Sequence, residues 1–218
     1  MKFKSLFFLF IIVPLQAMSP TKVKHYRQKY AAPSHIRKQL DTVCDSEFPP
    51  HVQTTQIGNL FIKRDDVTRL TGMELIRTAA QDHSCHNVTV PNKHRYTRPN
   101  GVSFIVAEEI IPKDPQLFTL ELIKEVYQVA KITGYNDLNS GNIKVTHEGK
   151  IAFIDTDDYG FQKPFKSHNE KLDLLWNMRQ LPMNDEAEAY IAKKFAAKEA
   201  SISAKRKKLS PVKKNFWA

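Results

Sequence analysis

The chain has 218 residues, of which 41% are hydrophobic and 26% are charged, a composition typical of a globular protein with a real core and not of a disordered chain. The formal net charge is +10, but eight of the 33 basic residues lie at positions 2, 4 and 205–214. The rest of the chain has 25 basic and 23 acidic residues, so it is nearly neutral. The high isoelectric point is a property of the ends and gives no sign of a basic nucleic-acid-binding body.

The first 17 residues have the pattern of a secretory signal peptide. Lys2 and Lys4 supply a positive start, and the apolar run Leu6–Val13 is too short to span a bilayer as a helix. Ala17 ends a stretch that resembles a cleavage site. We therefore expect a mature protein that begins near Met18 and lies outside the cytoplasm, either periplasmic or secreted. An uncleaved membrane anchor is the alternative.

Residues 18–54 form a polar and basic segment with several prolines. The sequence predicts one short helix from His35 to Val43 and indicates an extension packed on the first lobe of the protein. Cys44 lies in this extension, and Cys85 lies further along the chain. In an oxidising compartment the two can form a disulfide. Two unpaired thiols are the alternative, because the sequence does not set their distance.

The next part of the chain combines short strands with one helix. Ile57–Lys63 is predicted to be a strand that ends in a lysine. Thr71 and Glu74 have the spacing of a capping box, which predicts a helix that ends near Asp82. Three more strands are predicted, and the segment Glu108–Ile110 follows the last of them. These strands are Val88–Val90, Lys93–Thr97 and Val102–Ala107.

Helices dominate the second half of the chain. An amphipathic helix is predicted from Asp114 to Thr133, and Gly134 occupies the position of its C-cap. Two further helices are predicted at residues 168–180 and 184–204. Residues 205–218 are rich in basic residues, so we expect a disordered tail that contacts an anionic surface.

A β-hairpin is predicted after the long amphipathic helix. Its strands are the apolar runs Ile143–Val145 and Ile151–Ile154. Its turn contains Gly149, which can take the positive φ that a tight turn requires.

Oxygen-bearing side chains flank this hairpin. Asn142 precedes its first strand, and Asp155 and Asp157 follow its second strand. Because a hairpin brings its two ends together, we expect these side chains to lie close in space. Carboxylate and amide oxygens suit Mg²⁺ better than a soft metal. The sequence therefore predicts a magnesium site formed by these three residues.

The hairpin and its flanks resemble the catalytic segment of the protein-kinase-like phosphotransferases, in which an Asp, four residues, an Asn and a hairpin precede a second Asp. Asp137, Asn142 and Asp155 match that pattern. The forms D-L-x-x-G-N-I and I-D-x-D are more similar to those of aminoglycoside and choline kinases than to those of protein kinases. Lys63 on a strand and Glu74 on the next helix follow the order of the family's phosphate-binding Lys and its Glu partner.

The resemblance covers residues 55–180 and implies an α+β fold of two lobes, a small β-rich N-lobe and a shortened helical C-lobe. A C-terminal helix at 181–204 would follow this core. The resemblance implies that ATP and Mg²⁺ bind between the lobes, with Lys63 at the phosphates and Glu74 orienting Lys63. Glu108 and Ile110 would belong to the hinge that binds the adenine.

The implied function is that of an exported ATP- and Mg²⁺-dependent phosphotransferase that acts on a hydroxyl of a small molecule or a protein. Asp137 would accept the proton of that hydroxyl. The chain departs from the family because none of its seven glycines form G-x-G-x-x-G and because Tyr135 replaces the His of the catalytic loop. The alternative is therefore a pseudokinase, a catalytically inactive kinase-like binding module. Adenylylation, a transfer of the nucleotide instead of the phosphoryl group, is a third hypothesis.

Overall fold

The computed structural model of the protein describes residues 29–48, 54–162 and 170–209. The predicted signal peptide and the last nine residues of the predicted tail lie outside the described residues. The described chain is a mixture of helices and strands, which confirms the α+β class. The helices are α1 (Ser34–Asp41), α2 (Thr68–Asp82), α3 (Leu120–Thr133), α4 (Asp158–Gln162), α5 (Glu170–Met178) and α6 (Asp185–Leu209). The strands are β1 (Thr55–Ile57), β2 (Leu60–Arg64), β3 (Val88–Thr89), β4 (Lys93–Thr97), β5 (Ser103–Glu108), β6 (Ile143–Val145) and β7 (Ile151–Phe153).

Four strands form an antiparallel sheet in the order β1-β2-β5-β4. Side chains alternate between the two faces of a strand, so Leu60 and Ile62 of β2 lie on one face and Lys63 lies on the other. The face with Leu60 and Ile62 packs against α1, whose Ile36 and Leu40 are buried. This first core consists of Ala32, Ile36, Leu40, Phe48, Leu60, Ile62, Tyr96, Phe104 and Val106.

The segment before α1 lies along the edge strand β4. The backbone N–H of Arg95 donates to the carbonyl of Tyr30 at 2.6 Å, and the N–H of Ala32 donates to the carbonyl of Arg95 at 2.8 Å. This pairing covers the open backbone groups of a sheet edge. The described part of the N-terminal extension, residues 29–48, therefore contributes to the same core as the sheet.

The predicted hairpin is present as β6 and β7, which pair antiparallel with Ile143 opposite Phe153. Gly149 in its turn has φ 77°, as predicted. β3 adds a parallel neighbour to β7, so β7 is the central strand of a small sheet with the order β3-β7-β6. All three residues of β7 are buried, which explains why its sequence is apolar without alternation.

A second and larger core forms where this small sheet meets α2, α3, α5 and α6. On α3 the fully buried Ile123, Val126 and Val129 recur at helical spacing and face this core. Gly134 ends α3 with φ 76°, which confirms the predicted C-cap. The core extends into α6 through Ala187 and Ile191.

Two predicted boundaries in and beside the four-stranded sheet are wrong. The predicted strand from Ile57 to Lys63 is two strands, because Gly58 with φ 61° and Asn59 form a tight turn between β1 and β2. Helix α2 begins at Thr68, one turn earlier than predicted, where Asp66 accepts hydrogen bonds from the backbone N–H and the hydroxyl of Thr68. Thr71 is therefore inside the helix and caps nothing.

Two helix boundaries also differ from the prediction. Helix α3 begins at Leu120 and not at Asp114, because the hydroxyl of Thr119 caps it by accepting from the N–H of Leu122. Helix α6 continues to Leu209, past the predicted end at residue 204, and the Lys- and Arg-rich sequence there is compatible with helix. No helix in the described ranges is both long and apolar enough to cross a membrane. Cys44 is exposed, Cys85 is buried, and they are not joined by a disulfide.

Candidate active site

A cleft of about 210 Å³ lies between the four-stranded sheet and the ends of the β6–β7 hairpin. Four of its lining residues come from the inner face of the sheet in β2 and β5, where Phe61 pairs with Ala107 and Lys63 pairs with Ile105. The cleft therefore has an apolar wall with one lysine at its end. Its described lining residues are Thr54, Phe61, Lys63, Arg69, Lys93, Ile105, Ala107, Gly141, Asn142, Ile154 and Asp155.

Lys63 and Asp155 meet in this cleft. The Nζ atom of Lys63 lies 2.8 Å from Oδ2 of Asp155, and both side chains are about one-quarter exposed. The contact joins the sheet to the loop after β7, across 92 positions of sequence. Residues 154–158, which carry three carboxylates, are called the acidic loop below.

Arg69, in the first turn of α2, joins two carboxylates of the acidic loop. One terminal nitrogen of its guanidinium donates to Oδ1 of Asp155, and the other lies 2.9 Å from Oδ2 of Asp157. Burial of Asp155 favours its neutral form, but the charges of Arg69 and Lys63 outweigh this effect and hold the pKa of the carboxyl below its usual value. Asp155 is therefore ionised and paired on both oxygens.

Lys93 is a third cation at the cleft, and it is only 3% exposed. Its Nζ donates to the carbonyl of Ile154 at 2.8 Å and to the hydroxyl of Thr156 at 2.6 Å. Burial lowers the pKa of the Lys93 ammonium to about 7, although the charge of Asp155 opposes that change. Lys93 thus ties β4 to the residues on both sides of Asp155.

Helix α2 approaches the acidic loop without intervening side chains. The hydroxyl of Thr156 donates to the carbonyl of Arg69 at 2.7 Å. One turn further, a Cβ atom on Gly72 would lie closer than 3.0 Å to the carbonyl oxygen of Thr156, nearer than real Cβ atoms come. Glycine at position 72 is therefore what allows α2 to hold Arg69 against the acidic loop.

Tyr135 supports the acidic loop from the opposite side. Its hydroxyl donates to the carbonyl of Asp155 at 2.6 Å, and its ring packs edge-on against Phe153 and Phe161. Burial raises the pKa of the Tyr135 phenol, so the hydroxyl remains a donor. Tyr135 therefore positions the backbone of Asp155.

The loop before the hairpin is organised around Asn139. Its side-chain amide donates to Oδ1 of Asp137 at 3.0 Å, and its Oδ1 accepts from the backbone N–H groups of Gly141 and Asn142. The side-chain amide of Asn142 donates to the backbone carbonyl of Asp137 at 3.2 Å. The backbone carbonyl of Asn142 accepts from the N–H of Ile154 at 2.8 Å. The hairpin ends thus bring Asn142 and Asp155 to one cleft, and Asp137, which is not among the described lining residues of that cleft, is hydrogen-bonded to Asn142.

Glu74 has partners other than the one expected from the resemblance. Lys29 and the hydroxyl of Tyr30 both donate to its Oε1. Among the described residues, the hydrogen bond that Lys63 makes is to Asp155 and not to Glu74. Glu74 therefore links α2 to the N-terminal extension in this arrangement.

The predicted hinge residues Glu108 and Ile110 line a different cavity, of about 420 Å³, on the side of the sheet where Arg77 and Cys85 lie. The N–H of Glu108 donates to the carbonyl of Asn92 at 3.3 Å. The cleft with Lys63 is lined instead by Ala107, the residue before Glu108. Adenine contacts of Glu108 and Ile110 stay a prediction.

Two of the three predicted magnesium ligands, Asp155 and Asp157, are paired with protein cations. Both oxygens of Asp155 accept from Lys63 and Arg69, and Arg69 also holds Asp157. Across the described ranges, no group of three or more His, Cys, Asp or Glu side chains is arranged to hold a metal ion. The donor atoms have the hard oxygen chemistry of a Mg²⁺ site, but in this arrangement they do not fit the ion.

Sequence reasoning missed Arg69 and Lys93. The sequence did contain a signal for Arg69. A cation in the first turn of a helix is repelled by the positive end of the helix dipole, and α2 has no acidic residue in that turn to offset the repulsion. Such a residue indicates a tertiary partner for its charge. Lys93 left none, because a lysine at the start of a strand is ordinarily exposed.

Comparison with known proteins adds no family to this geometry. No protein-family model, curated protein or solved structure matches the chain. The chemistry of the cleft is therefore inferred from its own residues.

Proposed function

We propose that the protein is a kinase-like phosphotransferase that binds ATP in this cleft and transfers the terminal phosphoryl group to a hydroxyl of a second substrate. The observation that carries the proposal is the 2.8 Å contact between Lys63 and Asp155. These residues occupy two functional positions of the kinase-like pattern, in which the lysine pairs with the nucleotide phosphates.

The bilobal kinase-like fold is part of this proposal. The order of elements supports it: a lysine-bearing strand, a helix, two sheet strands, a long helix, and a hairpin that ends in aspartate. Two separate hydrophobic cores also support it, one behind the sheet and one among the helices. The cleft lies where these two parts meet.

The lining of the cleft suits a nucleotide. Phe61, Ile105 and Ala107 present an apolar wall against which a flat base can pack. Lys63 and Arg69 carry the positive charge that phosphate groups require. An aromatic and aliphatic wall ending in cations matches a ligand with a base at one end and phosphates at the other.

Asp137 is the proposed general base. It accepts the proton of the attacking hydroxyl while the new oxygen–phosphorus bond forms. The bond from the γ-phosphorus to the bridging oxygen breaks, and ADP leaves with that electron pair. The hydrogen bond from Asn139 to Oδ1 holds the Asp137 carboxylate in one orientation. Lys63 offsets negative charge at the phosphates.

The proposed steps use no Mg²⁺, because Asp155 and Asp157, two of the three residues that would bind it, are paired with protein cations. The described carboxylates at the cleft form ion pairs with Lys63 and Arg69. The chemistry proposed here therefore uses only groups that the chain itself supplies.

A catalytically inactive binding module is the second candidate, and the bridge from Arg69 to two carboxylates favours it. That bridge ties up the position that resembles the family's catalytic metal site. The absence of a G-x-G-x-x-G motif points the same way, since such a loop covers the phosphates in protein kinases. In this candidate the nucleotide stabilises a surface that a partner recognises.

We further propose that the protein acts outside the cytoplasm, on the basis of the signal-peptide pattern of its first 17 residues. An exported enzyme needs a supply of ATP at its destination, which a host cell or a secretory lumen provides. The basic residues between 205 and 214 are proposed to contact an anionic surface.

The test is a comparison of ATP binding and phosphoryl transfer by the wild type and Asp137→Asn. The substitution removes the base but keeps the residue's size, so ATP affinity should stay the same while turnover falls by about 10²–10⁴-fold. Transfer of label from γ-³²P-ATP to a panel of hydroxyl compounds and proteins measures turnover. Binding without turnover on any acceptor would favour the inactive module, and the absence of ATP binding would overturn both candidates.

A further inference from the structure

We propose that Arg69 takes the place of a divalent cation in this cleft, so that the protein binds the phosphates of a nucleotide without Mg²⁺. This inference rests on the proposed nucleotide-binding function and states how the site differs from a metal-dependent one. Its starting point is the position of the Arg69 guanidinium, between the carboxylates of Asp155 and Asp157.

Arg69 meets the two carboxylates in the way that a bridging cation would. Its two terminal nitrogens reach one oxygen each, and its side chain is 15% exposed. Asp66 lies 3.9 Å from its Nε atom and adds a third negative charge nearby. A guanidinium keeps its charge at every pH at which proteins fold, so this compensation is permanent.

Both oxygens of Asp155 already accept hydrogen bonds from protein cations. Oδ1 accepts from Arg69 and Oδ2 accepts from Lys63 at 2.8 Å. Mg²⁺ requires near-octahedral geometry at about 2.0–2.1 Å and gives up its waters reluctantly. To bind here it would have to break ion pairs that are largely shielded from water, which leaves a cation without a partner.

The backbone keeps Arg69 in place. Its carbonyl accepts from the hydroxyl of Thr156, and Gly72 brings α2 against the carbonyl of the same threonine. Arg69 is thus anchored at both its backbone and its guanidinium to one loop. The loop that pairs with the guanidinium therefore also holds the helix from which Arg69 extends.

The cations still have capacity for phosphate. A lysine ammonium carries three donors, and Lys63 uses one of them on Asp155 among the described residues. Lys63 and Arg69 balance the charges of Asp155 and Asp157. The donors that Lys63 has left are therefore what the chain offers to phosphate groups in place of a metal.

The experiment measures the affinity of the full chain for ATP by calorimetry, with EDTA and with excess Mg²⁺. The inference predicts dissociation constants that agree within about threefold in the two buffers, under ~0.7 kcal/mol. Affinity about tenfold or more weaker in EDTA would overturn the inference and leave the proposed function standing. No binding in either buffer would overturn both.

A variant tests the role of Arg69 directly. Arg69→Gln releases Asp157 and one oxygen of Asp155, so it should bind Mn²⁺, measured by electron paramagnetic resonance without nucleotide, at least about tenfold more tightly than the wild type. Arg77→Gln is the matched control, because Arg77 lies on the same helix and donates instead to Val90 and Asn92. Equal Mn²⁺ binding by wild type and folded Arg69→Gln would contradict the inference, and the circular dichroism melt of each variant establishes folding.

Discussion

Gly72 of α2 and the carbonyl oxygen of Thr156 approach so closely that no other residue fits at position 72 without a shift of the backbone. The contact sets the distance between the helix that carries Arg69 and the loop that carries Asp155. It is a backbone relationship, so it fixes the geometry of the cleft more firmly than a pair of long side chains would.

Gly72→Ala should therefore destabilise the protein. Alanine favours helix by about 1 kcal/mol over glycine, but forcing a methyl group into a closed contact costs about 1–3 kcal/mol and moves α2 from the acidic loop. Urea denaturation should show a net loss of stability, and ATP affinity should fall with it. Thr78→Ala at an exposed site on the same helix is the control and should change stability by less than about 0.5 kcal/mol. An unchanged or raised stability in Gly72→Ala would show that α2 and the loop are not in contact.

Lys93 should make the stability of the protein depend on pH above neutrality. Its pKa is 10.5 in a water-exposed lysine and about 7 in the fold, so between these values the unfolded chain binds more protons than the folded one. Stability should then rise with pH over that window, with a slope of up to about 1.4 kcal/mol per pH unit. Urea melts from pH 7 to pH 9.5 measure it.

The variant Lys93→Met should lose this rise, because its buried side chain does not titrate. Lys131→Met, at an exposed position of α3, should keep the wild-type slope. Parallel pH profiles for wild type and Lys93→Met would contradict the burial of a lysine whose preferred form is neutral.

Glu74→Gln tests which partner Lys63 has. Because Lys63 donates to Asp155 while Glu74 accepts from Lys29 and Tyr30, the substitution should leave ATP affinity within about threefold of the wild type. Calorimetry in one buffer makes the comparison. A loss of about tenfold or more would mean that Glu74 orients Lys63 when nucleotide binds, as the kinase resemblance implies.

Local patterns in the sequence predicted the hairpin well. Gly149 and Gly134 each adopt the positive φ expected of them, since a turn and a helix end are decided within a few residues. The meeting of Asn142 and Asp155 at one cleft followed from the same hairpin. These features depend on short stretches of chain.

Partners that are distant in sequence could not be predicted in this way. Glu74 is bonded to residues 44 and 45 positions earlier, and Arg69 reaches residues 86 and 88 positions later. Such contacts arise from how the sheet, α2 and the hairpin pack, which a propensity or a spacing does not encode. The kinase resemblance implied that Glu74 pairs with Lys63, whereas in the packed structure Glu74 accepts from Lys29 and Tyr30.

The central claim is that Lys63 and Asp155 meet in a cleft that binds a nucleotide. The most direct measurement is the calorimetric affinity for ATP of the wild type, Lys63→Met and Lys144→Met, where Lys144 lies on β6 outside the cleft lining. Removing a charged hydrogen bond to phosphate should weaken binding by about tenfold or more in Lys63→Met, a loss of about 1.5–3 kcal/mol. Lys144→Met should bind as the wild type does. Equal affinities in all three proteins, or no binding by the wild type, would contradict the account.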